Sequence, residues 1–183
     1  SETGLQLKTL DDAFRFAQYV VKSGLAPAGD TPEKVLMKVQ AGAELGFSPM
    51  RSLSALVVVN GKLSMEGQTI LALCRASGKF RKLRTWNEGD GDQRAGCVEF
   101  IRADTGEGDT IRFTVADAKR AGLMGKDVYK LYPDDMILWR AVARFGKRYA
   151  SDVIFGIAVA EVVPDNRPMM PMPSEAPRQL PAA

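Results

Sequence analysis

Arg140, Arg144, Lys147 and Arg148 recur at i, i+4, i+7 and i+8 in the segment YPDDMILWRAVARFGKRYA. On a helix that spacing stacks four cations along one face, with Leu138, Val142, Phe145 and Tyr149 on the opposite one. Guanidinium groups held in a row suit a regularly spaced anion, and the commonest in a cell is a phosphodiester backbone. The plain alternative is a solvated helix face that only tunes solubility. Asp134 and Asp135 stand in the first turn, where the helix dipole accounts for them, and no acid follows until Asp152. The face therefore lacks the i, i+4 acidic partners of a neutralised surface.

A second basic cluster comprises Arg75, Lys79, Arg81, Lys82 and Arg84, with no acid between residues 67 and 87. On a strand over 79–86, alternation puts Lys79, Arg81 and Leu83 on one face and Lys82 with Arg84 on the other. Part of this cluster lines a groove, or else the cations guard an edge strand against sheet-to-sheet pairing. Trp86, Tyr129, Tyr132 and Trp139 lie beside the cationic segments. Aromatic stacking is worth roughly 1–3 kcal/mol per base in single-strand binders. Trp139 is assigned to the core, whereas Tyr129 and Tyr132 are expected to be more open.

The chain of 183 residues carries 25 Lys and Arg against 22 Asp and Glu, a formal charge of +3. Only local distribution, not net charge, points to nucleic acid. There is no histidine, which excludes His-based triads, His metal sites and imidazole acid–base catalysis. Cys74 and Cys97 lack partners at metal-ligand spacing and read as free thiols. GLMGKD lacks the frame of a phosphate loop, and Gly-Asp-Gly-Asp at 89–92 reads as a turn, not a calcium loop. Asp134 and Asp135 diverge by about 100° on a helix and make a poor magnesium pair. No cofactor is expected. No apolar run approaches the roughly 20 residues of a membrane span, and SETGLQLK does not resemble a signal peptide, so a cytoplasmic protein is expected.

The elements that must position these groups are legible in outline. Thr9 caps a helix over 9–24, and Pro32 opens another over 31–45 with Val35, Met37, Val39 and Ala43 among its buried candidates. SALVVVNGKLSM reads as a hairpin turning at Asn60-Gly61. Ser64 and Gly67 open a helix ended by Gly78. Strands at 79–86, 94–103 and 109–113 form an antiparallel meander. Thr114 starts a short helix, and a loop containing Lys126 and Lys130 leads to the long helix 132–150. Six of the ten prolines fall in the last 20 residues, so 164–183 is expected to be a flexible tail behind one domain over 1–163.

The blocks ELGFSPM, LVVVNGKLSMEGQTILALCRASG, FTVADAKRAGL and GKDVYKLYPDDMILWRAVARFGKRYASDVIFGI resemble, in order and spacing, the RecT/Bet group of phage recombinases over roughly residues 9–163. The resemblance implies an ATP-independent single-strand annealing protein, phage or prophage encoded and acting in a bacterial host. Its core would be α+β, a curved antiparallel sheet backed by helices, with a cationic groove for the DNA backbone. It implies homo-oligomeric rings or filaments that pair single-stranded DNA through an annealed duplex intermediate. The family's basic block falls on Arg140, Arg144, Lys147 and Arg148, preceded by Lys126 and Lys130. Tyr129 stands where relatives often carry Trp. Many relatives continue into a C-terminal domain that engages host single-strand binding protein or a partner exonuclease, a place taken here by the Pro-rich segment.

Candidate DNA-binding residues are thus Arg140, Arg144, Lys147, Arg148, Lys126, Lys130, Arg81, Lys82, Arg84, Tyr129 and Tyr132. Two other classes stay open at this point. One is a magnesium-dependent phage nuclease, which would draw on Asp152 and Glu161. The other is an interaction domain whose basic face meets an acidic protein.

Overall fold

The structure is a computed structural model that describes residues 7–59 and 61–159. The expected 164–183 tail, Glu161 and Asn60 of the hairpin turn lie outside the described residues. The architecture is mixed α+β. Helices α1 (Leu10–Lys22), α2 (Pro32–Glu44) and α3 (Pro49–Ala55) precede a hairpin of β1 (Leu56–Val59) and β2 (Lys62–Met65). Helix α4 (Gly67–Ala76) leads to β3 (Phe80–Glu88), β4 (Ala95–Arg102) and β5 (Gly108–Thr114). Then come α5 (Val115–Arg120), α6 (Asp127–Leu131), α7 (Pro133–Tyr149) and β6 (Ala158–Val159).

Local chemistry explains the starts of these helices. Thr9 and Asp12 form a reciprocal capping box at α1, both bonds at 3.1 Å, and Thr114 with Asp117 does the same at α5. Thr31 caps α2 ahead of Pro32, and Ser48 caps α3 ahead of Pro49. Helix α3 had no counterpart in the sequence reading. Ser64 does not open α4: it pairs within β2, and Glu66 takes the N-cap position. The expected loop carrying Lys130 is the short helix α6, with Lys126 at its N-cap.

The hairpin and the meander do not join into one sheet. β3, β4 and β5 form an antiparallel sheet in that order. β1 and β2 form a separate antiparallel pair, to which β6 adds in parallel beside β2. α4 follows β2 at once and commits Ile70, Leu71 and Cys74 to the core before β3 begins.

Two apolar clusters result. The smaller joins Ala17 and Val20 of α1 to Val35 and Val39 of α2 and Leu53 of α3. Met37 and Ala43, expected inside, are exposed, because the buried side of α2 runs instead through Val35, Lys38, Val39 and Gly42. The larger cluster lies between α7 and the inner face of the meander. Phe80, Phe100, Phe145 and Tyr149 meet there, with centroids 5.2 Å apart for Phe100–Phe145 and 4.5 Å for Phe100–Tyr149. Each fully buried ring contributes about 1.5–3 kcal/mol. Gly96 of β4 lets the α7 backbone rest on the strand: a Cβ there would stand 2.3 Å from Leu138 Cα.

Candidate nucleic-acid interface

Helix α7 buries Ile137, Ala141, Val142, Ala143, Phe145 and Gly146, an arc wider than the sequence pattern indicated. The cations occupy what remains of its circumference. Arg140 is half buried, and its Nε donates to the Tyr129 hydroxyl at 3.1 Å. Arg144, Lys147 and Arg148 are exposed. The Arg144 guanidinium lies over the Phe113 ring, 4.6 Å from its centroid, which orients the charge while leaving it in water. Among the described residues, neither the Arg144 nor the Arg148 side chain forms a hydrogen bond or an ion pair. Asp117 has an electrostatic interaction with Arg144, but its carboxylate is used by the Thr114 backbone and by Arg120. Those contacts, with a smaller contribution from Arg144, hold Asp117 below the usual carboxylate range.

The remaining candidates scatter. Tyr129 is 0% exposed, so it is not the open stacking residue expected from its place beside Lys126 and Lys130. Helix α6 turns its ring into the core, and only its hydroxyl remains useful, as the acceptor that positions Arg140. Tyr132, at the α6–α7 junction, is 61% exposed and does stand open. Lys126 is exposed, and Lys130 reaches Asp127 at 3.4 Å across one helical turn. Trp139 packs partly buried against Gly67.

The 75–84 cluster is divided. Strand register places Lys82, Arg84 and Trp86 on the sheet face carrying Cys97, Glu99 and Arg112. Val98 and Phe100 take the other face, which meets α7. Lys82 pairs across the strands with Glu99 at 2.6 Å, and Arg84 stacks on Trp86 at 5.2 Å. These cations therefore point away from α7 and do not extend its row. Lys79 is bound to Asp152 at 2.8 Å. Arg81 is exposed at a register shift of the edge strand β3.

Sequence reasoning missed Arg102, which is only 8% exposed. It donates to Asp104, to Asp152 and to the Tyr149 carbonyl, and it lies over the Phe80 ring. Its only sequence signal was a cation at a strand end with acids nearby, which is too common to single out. Arg102 first and Lys79 second hold Asp152 well below the usual carboxylate range. Asp134 is likewise taken by Arg94, at 2.5 Å. Burial drives the Cys74 thiol up to about 12 and raises that of Cys97, which suits inert packing groups. Among the described residues no group of three or more Cys, Asp and Glu could hold a metal ion, and no helix is long and apolar enough to cross a membrane.

Compared with known proteins, the chain matches no protein-family profile, no curated protein and no solved structure.

Proposed function

We propose that this chain is an ATP-independent protein that binds and anneals single-stranded DNA. The observation that carries the reading is the row on α7. The Arg144 and Arg148 side chains are exposed and form no hydrogen bond or ion pair with an acid among the described residues, on a helix whose other sides are locked into the core. Rigid mounting lowers the conformational entropy lost when phosphates bind. Tyr132 stands at the same helix's start, and Arg140 and Lys147 complete the row. The four sequence blocks resembling RecT/Bet recombinases support the same assignment.

In this reading phosphates lie along α7 and the bases face outward, where a second strand pairs with them. Duplex stacking, about 1.4 kcal/mol per step, drives annealing, so no nucleotide need be hydrolysed. Four cations span few nucleotides, so a homo-oligomer repeats the groove along the strand. Host single-strand binding protein or a phage exonuclease would be the recruiting partner. Of the two acids that a metal-dependent nuclease would draw on, Asp152 is committed to Arg102 and Lys79, and Glu161 lies outside the described residues.

The test is single-strand affinity by fluorescence anisotropy across a salt series. Each phosphate contact contributes about −0.7 to the log–log slope on single strands. Arg144→Ala with Arg148→Ala should weaken binding and flatten the slope by about 1.4. Unchanged affinity and slope would overturn the assignment. Annealing of complementary labelled oligonucleotides should proceed without ATP or metal, and strand cleavage in magnesium would contradict it.

A further inference from the structure

Beyond α7 the chain does something costly. Phe155 has φ 52°, the only non-glycine residue with positive φ among those described, and its side chain is 72% exposed. A bulky residue in left-handed backbone is a genuine outlier, because its Cβ crowds the following carbonyl. The local hydrogen bonds require that conformation. Val153 and Ile154 N–H both return to the Ala150 carbonyl, and Gly156 N–H reaches Ser151 O at 3.3 Å, the six-to-one bond of a Schellman turn. Phe155 occupies the left-handed position of that turn, where glycine is the usual residue.

The neighbouring side chains behave differently. Val153 and Ile154 are buried, and Ile157 packs on the core. The turn thus anchors the chain on both sides of Phe155 and holds one ring out in water. Hydrophobic burial gives no reason for this, and neither does local propensity. Strain of this kind concentrates at binding sites, where surrounding packing holds it in place. The turn follows directly from the helical end that bears Lys147 and Arg148, six residues past which comes the ring.

We infer that Phe155 is a base-stacking residue, a platform that receives a nucleobase of the strand whose phosphates lie on α7. The inference rests on the single-strand reading above and adds the half of the contact that cations cannot supply. Phosphates fix position and charge; a fixed aromatic face takes any base, because every base has a π-face. Such an arrangement binds without sequence preference, as annealing of arbitrary strands requires.

The full chain would be tested with oligo-dT and with the same length of abasic strand, using Phe155→Gly and Phe155→Leu. Phe155→Gly should melt at or above the parent, since glycine accepts this backbone without a Cβ penalty. Both variants should lose about five- to a hundredfold in oligo-dT affinity, with the salt slope unchanged. On the abasic strand, parent and variants should bind equally. Undiminished oligo-dT binding by Phe155→Gly overturns this inference alone, as does a loss carried by the salt slope. A changed oligomeric state with intact DNA affinity also overturns it and assigns the ring to contact between copies. A parent protein that ignores both strands overturns the single-strand reading together with this one.

Discussion

Arg102 donates to both carboxylate oxygens of Asp152, at 3.0 and 2.8 Å, while the same guanidinium reaches the Tyr149 carbonyl at 2.6 Å. The end of β4 and the C-terminal turn of α7 are thereby one unit. Lys147 and Arg148, which sit in that turn, inherit its rigidity. Asp104 completes the cage from the strand side at 2.7 Å.

This cage sets an acid limit on stability. The Arg102 hydrogen bond is the main reason that Asp104 is pushed down to about 2, and Arg102 with Lys79 also depresses Asp152. Folded values below the ordinary carboxylate value mean that the contribution is complete above about pH 4 and drains as pH falls through the folded values. Thermal melts from pH 5 to 2 should fall steeply for the parent and more gently for Arg102→Met. At pH 7 that variant should be less stable by about 2 kcal/mol. Parallel pH profiles would show that the cage is not the source.

The outer face of the sheet provides a control for the DNA-binding proposal. Lys82 and Arg84 belong to the same cationic composition as α7 but face the other way, and Lys82 is already paired with Glu99. Lys82→Ala with Arg84→Ala should leave the salt slope of single-strand binding within about 0.3 of the parent, less than half of one phosphate contact. A drop as large as that for Arg144→Ala with Arg148→Ala would place the strand on the sheet instead.

Gly96 predicts a large effect from a single methyl group. Its Cβ would meet Leu138 Cα and N and Ile137 C, all backbone atoms within 2.6 Å. Neither the strand nor the helix can yield without lifting the aromatic cluster apart. Gly96→Ala should cost about 3 kcal/mol or more in urea unfolding. A cost below about 1 kcal/mol would mean that α7 slides easily over the sheet.

The α1–α3 unit has its own weak point. Lys38 is 1% exposed and pairs with Asp30 at 2.5 Å. Asp30→Asn leaves a buried ammonium without its counter-charge, which costs about 3–5 kcal/mol, whereas Lys38→Met removes the charge and should cost much less. Hydrogen exchange should show the Asp30→Asn loss first in α1 and α2, because their apolar cluster is separate from the one under α7. Uniform loss across β3, β4 and β5 would show the two clusters to be one cooperative unit.

Much of the frame was legible without coordinates, because it depends on short-range rules. Thr9 and Thr114 announced helix starts through caps that involve only the next three residues, and Pro32 announced another through its place at the first helical position. Alternation and Gly-Asp turns announced β3, β4 and β5 to within two residues of their observed ends. The spacing of Arg140, Arg144, Lys147 and Arg148 required only that their segment be helical, as it is.

Orientation was different, since it depends on what lies across the contact. Tyr129 looked open beside two lysines, yet packing in α6 drew its ring inside and left its hydroxyl to Arg140. Lys82 and Arg84 looked like part of the same basic surface as α7, yet strand register turned them to the opposite face. Arg102 carried only a signal too common to single out, and Phe155 carried none. One is defined by partners 2 to 50 residues away, and the other by a turn whose hydrogen bonds force left-handed backbone on a residue that disfavours it. Sequence alone set where helices and strands begin and which segments carry charge, because caps, turns and periodicity act within a few residues. Tertiary packing decided which of those charges and rings face the solvent together, because that is settled by side chains distant in the chain competing for the same core.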